Sequence, residues 1–595
     1  MTLRAIDHAR SGSSIIYKLA RSPRKSITST RSFASSATRW QITHSTDVLI
    51  VGSGGAGLSA ALRCHMHGLR PLVIEKSDKL GGTTAWSGGG LWVPNNEQHK
   101  SRGVQDSEEQ ALEYLNALIG DVGPASTPER RLAYVRNASK VVDQLSSMGC
   151  RWVPTVGMPD YHSDLPGALE DGRSIEPALV NAKELGAWKD FLRPPSIFAG
   201  PPMHIYEGIV AAKITSWSGI SMLLKILVRW LGHRVMGRDP VALGQALITH
   251  LLKANRDRDT EIWRSTVMQS LSLDESGAVT GAIVVRDGED VRVDAKSIVL
   301  SAGGFAKNDE MRRKYHQQPT DAAWSSVTPN DTGEVIQAGI DIGAATALMS
   351  EAWWNPTFLN PVNGAPWISF GERGRPGTII VDSEGKRFLN EAESYNDAGR
   401  RFYERDGTAP AIPAWMVMDS KFAKRNPLSL IGPRFRKKDS LRTHFLHEAK
   451  TLEELSQKIN VDTRNLLATV QRFNGFAKNG RDEDFGRGGT AMDRLAGDAA
   501  AAAGPNPNLG TLEKAPFYAI RIYPGDIGTK GGLLTDEHAR VLNERGEAIP
   551  GLYAAGNTSA SVMGRHYAGA GATIGPAVVF AALAVDHAAG SPWKA

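Results

Sequence analysis

The sequence predicts an α/β fold: a Rossmann-like dinucleotide-binding domain, discontinuous in sequence, with an inserted α+β domain that caps it. Three features predict this. First, residues 46–75 form a βαβ unit with a glycine turn: an apolar strand at 48–51, then Gly52, Gly54 and Gly57 as G-x-G-x-x-G, an Ala/Leu-rich helix at 58–67, and a second strand at 72–74 that ends at Glu75. Second, an apolar strand at 297–305 closes on Ala302 and Gly303. Third, a short strand at 552–555 runs into Gly556 and Asn557, a glycine-rich loop that holds the cofactor-binding candidates Thr573 and Ile574, and a long Ala-rich helix that starts at Pro576. Residues 353–514 differ in character, with more aromatics, scattered prolines and no further dinucleotide fingerprint. The expected division is 1–45 as a tail or targeting segment, 46–352 as the first part of the dinucleotide domain, 353–514 as the cap, and 515–595 as the completing part.

The N-terminal segment accounts for the basic charge. Residues 1–45 hold eight Lys and Arg against the single acid Asp7, a net +7 of the chain's +6, so the remainder carries about −1. The basic balance therefore does not argue for nucleic acid. Arg-rich, Ser-rich and acid-poor composition is that of a mitochondrial transit peptide. With only Cys64 and Cys150, neither a disulfide framework nor a multi-cysteine metal site is available. The histidines are scattered along the chain, so no metal site is expected.

In the βαβ unit each glycine has a physical task. Gly52 permits the tight turn, Gly54 lets backbone N–H groups approach a pyrophosphate at a helix N-terminus, and Gly57 brings the helix close to the sheet. Glu75 lies 18 residues past Gly57, near the place expected for a carboxylate on a ribose diol. A second glycine loop follows, with Gly81, Gly82, Thr83 and Thr84, then Ser87, Gly88, Gly89 and Gly90.

Amphipathic helices are expected at 106–119 and 127–148, the second with Pro128 near its start. A Pro/Gly-rich loop carrying Tyr161 follows them. Residues 214–231 are the most apolar stretch, too short and too charged to span a bilayer. Lys225 and Arg229 share one helical face there, with Met222, Leu223, Ile226, Leu227 and Trp230 largely elsewhere. This pattern suits an interfacial helix docking on a membrane, a buried helix, or a dimer contact. A helix at 240–254 and an antiparallel piece at 260–293 come next, and Asp331, Thr332 and Gly333 open another helix.

Several stretches together resemble the 3-ketosteroid Δ1-dehydrogenases of the fumarate reductase/ketosteroid dehydrogenase superfamily of flavoproteins. They are GGTTAWSGGG, PDY, NEAESY, PGDIGTKGG and GNTSASVMGRHYAGAGATIGP, and the resemblance covers nearly everything from residue 46 onward. It implies FAD as the cofactor, with the second glycine loop passing under the flavin and its diphosphate. No histidine lies between Gly81 and Gly90, so the FAD is expected to be noncovalent.

The resemblance also implies roles. Tyr567 OH and Gly571 N–H, four apart in Y-x-G-x-G, would bind the C3 carbonyl oxygen of a 3-ketosteroid. Such a pair stabilises the enolate-like charge made when the neighbouring proton leaves. Tyr395, in N-E-x-x-x-Y, would take the C2 proton, Tyr161 of P-D-Y would assist it, and hydride would pass from C1 to flavin N5. Tyrosine has a reference pKa of about 10, so its neighbours must favour the ionised form. Ala568 stands where many relatives have proline. The 526–532 run lacks the histidine with which fumarate reductases grip a dicarboxylate, leaving Arg565 as a lone partner. The alternatives are a 3-keto-5α-steroid Δ4-dehydrogenase, a fumarate reductase-like enzyme, or a flavin-binding protein without turnover. The electron acceptor expected is a quinone, a carrier protein or oxygen.

Overall fold

In the computed structural model, residues 43–195, 200–213, 216–361, 363–426 and 445–593 are described. The presequence-like segment 1–42 therefore lies outside the described residues.

The chain opens with β1 (Thr43–Val51), α1 (Gly55–Met66) and β2 (Pro71–Ile74). Then come α2 (Glu108–Ile119), capped by Ser107, and α3 (Pro128–Ser147), capped by Thr127 with Pro128 at its first position. A pair of helices follows, α4 (Ile205–Ala211) and α5 (Trp217–Val235), and then α6 (Leu243–Arg256). Strands β3 (Glu261–Trp263), β4 (Thr266–Leu273), β5 (Val279–Arg286) and β6 (Glu289–Leu300) complete the first part.

The inserted part contains β7 (Ala352–Leu359), β8 (Pro366–Ile368), β9 (Thr378–Val381), α7 (Tyr395–Asp406), β10 (Ala414–Met418) and β11 (Leu446–Ala449). The long β12 (Phe517–Thr529), β13 (Arg540–Leu542), β14 (Ala548–Ala554) and α8 (Ile574–Ala588) end the chain.

Two sheets organise these elements. The larger has the order β13-β14-β6-β1-β2-β3, with β5 pairing β6 and β4. Its centre is parallel: Val51 of β1 lies opposite Ile74 of β2 and Leu300 of β6, and Leu300 opposite Ala554 of β14. All three glycine-terminated strands thus end side by side, at the carboxyl edge where doubly wound sheets bind ligands. Helix α1 packs between α8 and α6. It buries Leu58, Ala60, Ala61, Leu62 and Cys64, so its small residues let the helices approach closely.

The second sheet is antiparallel, in the order β8-β7-β12-β10-β9, with β11 also on β12. Here the structure moves an expected boundary. Residues 517–529 pair with β7, β10 and β11, so the cap sheet takes in a strand placed past 514 in the expected completing part. Helix α5 also differs in orientation. Arg229 is turned inward onto Glu207 of α4 at 2.6 Å, and Ile226 is buried, while Leu223, Leu224, Leu227, Val228 and Leu231 face outward. Lys225 stays exposed among these apolar side chains, so Arg229 alone of the expected charged face is drawn inward, by the α4 carboxylate.

Candidate active site

One cavity of roughly 640 Å³ runs from the glycine turns to the cap. Its first half is backbone. Gly52 has φ +106° and a Cβ there would come within 2.6 Å of Ser301 O; at Gly57 it would meet Gly52 O at 1.9 Å. Gly57 sits behind the turn, whereas Gly52 and Gly54 line the cavity. Glu75 accepts from Ser53 N–H at 3.1 Å and Ser53 Oγ at 2.7 Å, which ties the second strand to the turn, and it too lines the wall. Ser53 Oγ also accepts from Gly81 N–H, joining the first glycine loop to the second.

The second loop lies across the first. Thr84 Oγ1 accepts from Gly55 N–H at 3.1 Å, Ser87 Oγ bonds Thr84 O and Gly89 N–H, and Thr83 Oγ1 meets Thr328. Gly82, Thr83, Thr84, Ser87, Gly88 and Gly89 all face the cavity, as do Ala302, Gly303, Gly556, Asn557, Thr573 and Ile574. The first turn of α8 is therefore part of the wall, and its partial positive charge points to where negative charge is stabilised. Asp331 stands beside Gly303, buried, with Oδ1 lacking a hydrogen-bond partner and burial pushing its carboxyl up to about 7. Backbone cradles that no Cβ fills and an orphaned carboxyl fit a long, hydroxyl-bearing dinucleotide.

The other half is built around three buried tyrosines. The Tyr161, Tyr395 and Tyr567 rings lie 5.2–5.4 Å apart in pairs, Tyr161 stacked on Tyr567 and Tyr395 edge-on to both. Tyr161 OH donates to Tyr395 OH at 3.4 Å, and Tyr567 OH accepts from Thr573 Oγ1 at 3.0 Å. Burial pushes all three hydroxyls above their ordinary pKa. Tyr395 is the first residue of α7, so the helix dipole opposes that shift, by about 0.3–1 kcal/mol. That is less than one pKa unit, so burial, to which the neighbouring Tyr161 and Tyr567 hydroxyls add, outweighs it.

Gly571, at φ +95°, is pressed against the second glycine loop: a Cβ would lie 2.5 Å from Gly90 O. This contact holds the loop of Tyr567 against the dinucleotide half. Met158, Met203, Ile205, Ile209, Ile368, Phe370, Met492 and Leu495 complete an apolar enclosure.

Several contributors were not singled out from sequence. Asp160 of the P-D-Y stretch is buried, accepting from Trp92 Nε1 at 2.7 Å and from Arg173 at 2.6 Å, and so anchors the Tyr161 loop. Trp353 packs edge-on to Tyr567 and donates to Asn557 Oδ1. His162, Asp397 and His566, scattered in sequence, converge. Their adjacency to the motif tyrosines was the available signal. Arg565, the lone candidate for a carboxylate substrate, turns to Glu351 instead, at 3.5 Å.

Comparison with known proteins agrees with this geometry. Residues 47–574 match the FAD binding domain family. The chain is 40% identical to a 3-oxosteroid 1-dehydrogenase of Mycolicibacterium smegmatis, across 90% of this chain and 96% of that protein. It is 35% identical to a 4-oxocyclohexanecarboxylate 2-dehydrogenase of Sinomonas cyclohexanicum, over 91% and 93%. Among solved structures, the 3-ketosteroid delta1-dehydrogenase of Sterolibacterium denitrificans in complex with 1,4-androstadiene-3,17-dione superposes with a TM-score of 0.86 at 39% identity, covering 92% of this chain and all of that one. The chain therefore belongs to the FAD binding domain family of flavoproteins and, within it, to the 3-oxosteroid 1-dehydrogenases.

Proposed function

We propose that this protein removes two hydrogens from C1 and C2 of 3-ketosteroids. The observation that carries the reading is the meeting of three buried tyrosines with a glycine loop at one end of a cavity whose other end is a dinucleotide cradle. Tyr567 OH and Gly571 N–H hold the C3 oxygen and stabilise the charge that grows on it. Tyr395 takes the C2 proton; the Tyr161 hydroxyl stands 3.4 Å from its oxygen, and a hydrogen bond donated from there in the complex would favour the ionised phenol. The aliphatic wall excludes water and orients the rings of an apolar substrate. FAD, held noncovalently by the two glycine loops and the α8 N-terminus, supplies when bound the acceptor for the hydrogen that leaves C1 with its electron pair. The test is turnover with an artificial electron acceptor and identification of the product. A C1=C2 bond in the ketone ring supports the reading. A C4=C5 bond from a 5α-reduced ketosteroid, or activity confined to a monocyclic oxo acid, would replace it.

We also infer that α5 rests on a lipid surface. Trp217, Val228 and Val235 are 84, 68 and 89% exposed, Leu223, Leu224, Leu227 and Leu231 share this outward surface, and residues 213–238 contain five Lys and Arg but no acid. Met203, Ile205 and Ile209, from α4 and the segment before it, line the cavity beneath, so an apolar steroid would enter from the bilayer side. No helix among the described residues is long and apolar enough to cross a membrane. A quinone dissolved in the same lipid is the electron acceptor this placement favours. The composition of residues 1–45 supports a mitochondrial address, which a fluorescent fusion to that segment would test.

A further inference from the structure

The segments that carry the three tyrosines meet a second time, away from the cavity. His162 follows Tyr161, His566 precedes Tyr567, and Asp397 lies in the first turn of α7, two residues after Tyr395. His162 Nε2 is 3.0 Å from Asp397 Oδ2, His566 Nδ1 is 3.7 Å from Asp397 Oδ1, and the two imidazoles meet edge to face at 5.9 Å. Asp397 is 9% exposed, and none of the three side chains lines the cavity. Burial opposes the ionised carboxylate, yet the two imidazoles hold Asp397 well below the ordinary carboxylate range; burial likewise opposes the imidazolium, and Asp397 raises His162 above its ordinary value.

The surrounding backbone is tied by hydrogen bonds. Tyr161 N–H and Tyr114 OH both donate to Ala568 O, Asn396 Nδ2 donates to Arg565 O, and Lys530 Nζ donates to His566 O. On the cavity side, by contrast, Tyr161 and Tyr395 are joined by a single 3.4 Å hydrogen bond and ring contacts.

We propose that His162, Asp397 and His566 form an ion-paired clamp that fixes the base Tyr395 against the ketone-binding pair Tyr567 and Gly571. This rests on the functional reading above. The three residues stand off the cavity wall; they are positioning residues. Base and carbonyl donors come from different segments, and a misplacement of about 1 Å between reacting groups costs about a hundredfold in rate. A half-buried charge cluster spanning those segments sets that spacing.

The experiment compares FAD-loaded wild type with Asp397→Asn, His162→Asn and the double variant. Anaerobic stopped-flow reduction by a 3-ketosteroid gives the rate, and titration with the 1,4-diene product gives affinity. The expected result is a rate lower by about tenfold to a hundredfold, with FAD content and steroid affinity nearly unchanged. The isotope effect from C2-deuterated steroid should rise while that from C1 does not, because proton removal is the step that loses alignment. The single substitutions should be non-additive in both rate and thermal midpoint. A rate near wild type, additive effects, or loss of FAD and steroid affinity in parallel with rate would overturn the clamp. Failure of wild type to be reduced would refute the functional reading instead, and the thermal coupling would still decide whether the clamp exists.

Discussion

Replacing Tyr395 with Phe separates chemistry from architecture at this site. The ring is enclosed by Tyr161, Tyr567 and Phe370 at 5.3–5.4 Å, and phenylalanine keeps all three contacts. What is lost is one hydroxyl, whose bond to Tyr161 is long at 3.4 Å. A hydrogen bond of that kind contributes about 0.5–1.5 kcal/mol to stability, so a domain of this size should shift its melting temperature by only a few degrees. The dinucleotide cradle is formed by other segments, and FAD should remain bound. The kinetic loss is larger. A positioned general base contributes about 10²–10⁴ in rate, or roughly 2.7–5.5 kcal/mol of barrier. The assay is anaerobic mixing with a 3-ketosteroid, following bleaching of the oxidised flavin, alongside thermal unfolding. Reduction within tenfold of wild type would refute Tyr395 as the base. A collapse of FAD content would refute the claim that it stands apart from the cradle.

Four further outcomes are expected. Tyr567→Phe should lower the reduction rate by about 10²–10³-fold, the usual cost of one oxyanion donor, and stopped-flow bleaching checks it. Gly57→Ala should yield protein without FAD, read from the ratio of visible to ultraviolet absorbance, because its Cβ would lie 1.9 Å from Gly52 O. His316 is buried against Phe305 and Trp354 with both ring nitrogens unpaired, and burial pulls its pKa down to about 3. The unfolded chain binds a proton there below about pH 6.5 and the folded chain does not, so stability should fall as pH drops from 6.5 toward 3; His316→Phe should flatten that part of a denaturation profile. Converting Leu224, Val228 and Leu231 to Gln should abolish co-sedimentation with anionic vesicles while leaving turnover of detergent-dispersed steroid intact, since these side chains face away from the cavity.

The dinucleotide half was the most legible from sequence because its demands are local. A positive φ at Gly52 and a backbone approach at Gly57 admit no other residue, so glycine spacing reports the turn directly. Family motifs point to the three tyrosines and Gly571, and the fold brings them to one cavity wall. What escaped the sequence depends on distant partners. Strand β12 belongs to the cap because β7, β10 and β11 pair with it from far along the chain. For α5 the sequence leaves three placements open; the structure turns its apolar side chains outward while Arg229 pairs with Glu207 of a separate helix. The His162–Asp397–His566 cluster joins three segments that are more than a hundred residues apart, and no helical or strand periodicity signals it.

The most direct measurement is anaerobic mixing of the FAD-loaded protein with one equivalent of androst-4-ene-3,17-dione, reading flavin absorbance and steroid mass together. The account predicts stoichiometric bleaching with loss of two hydrogens from the steroid and a new C1=C2 bond. A flavin that stays oxidised, or that is bleached only by 5α-reduced ketosteroids, would contradict it.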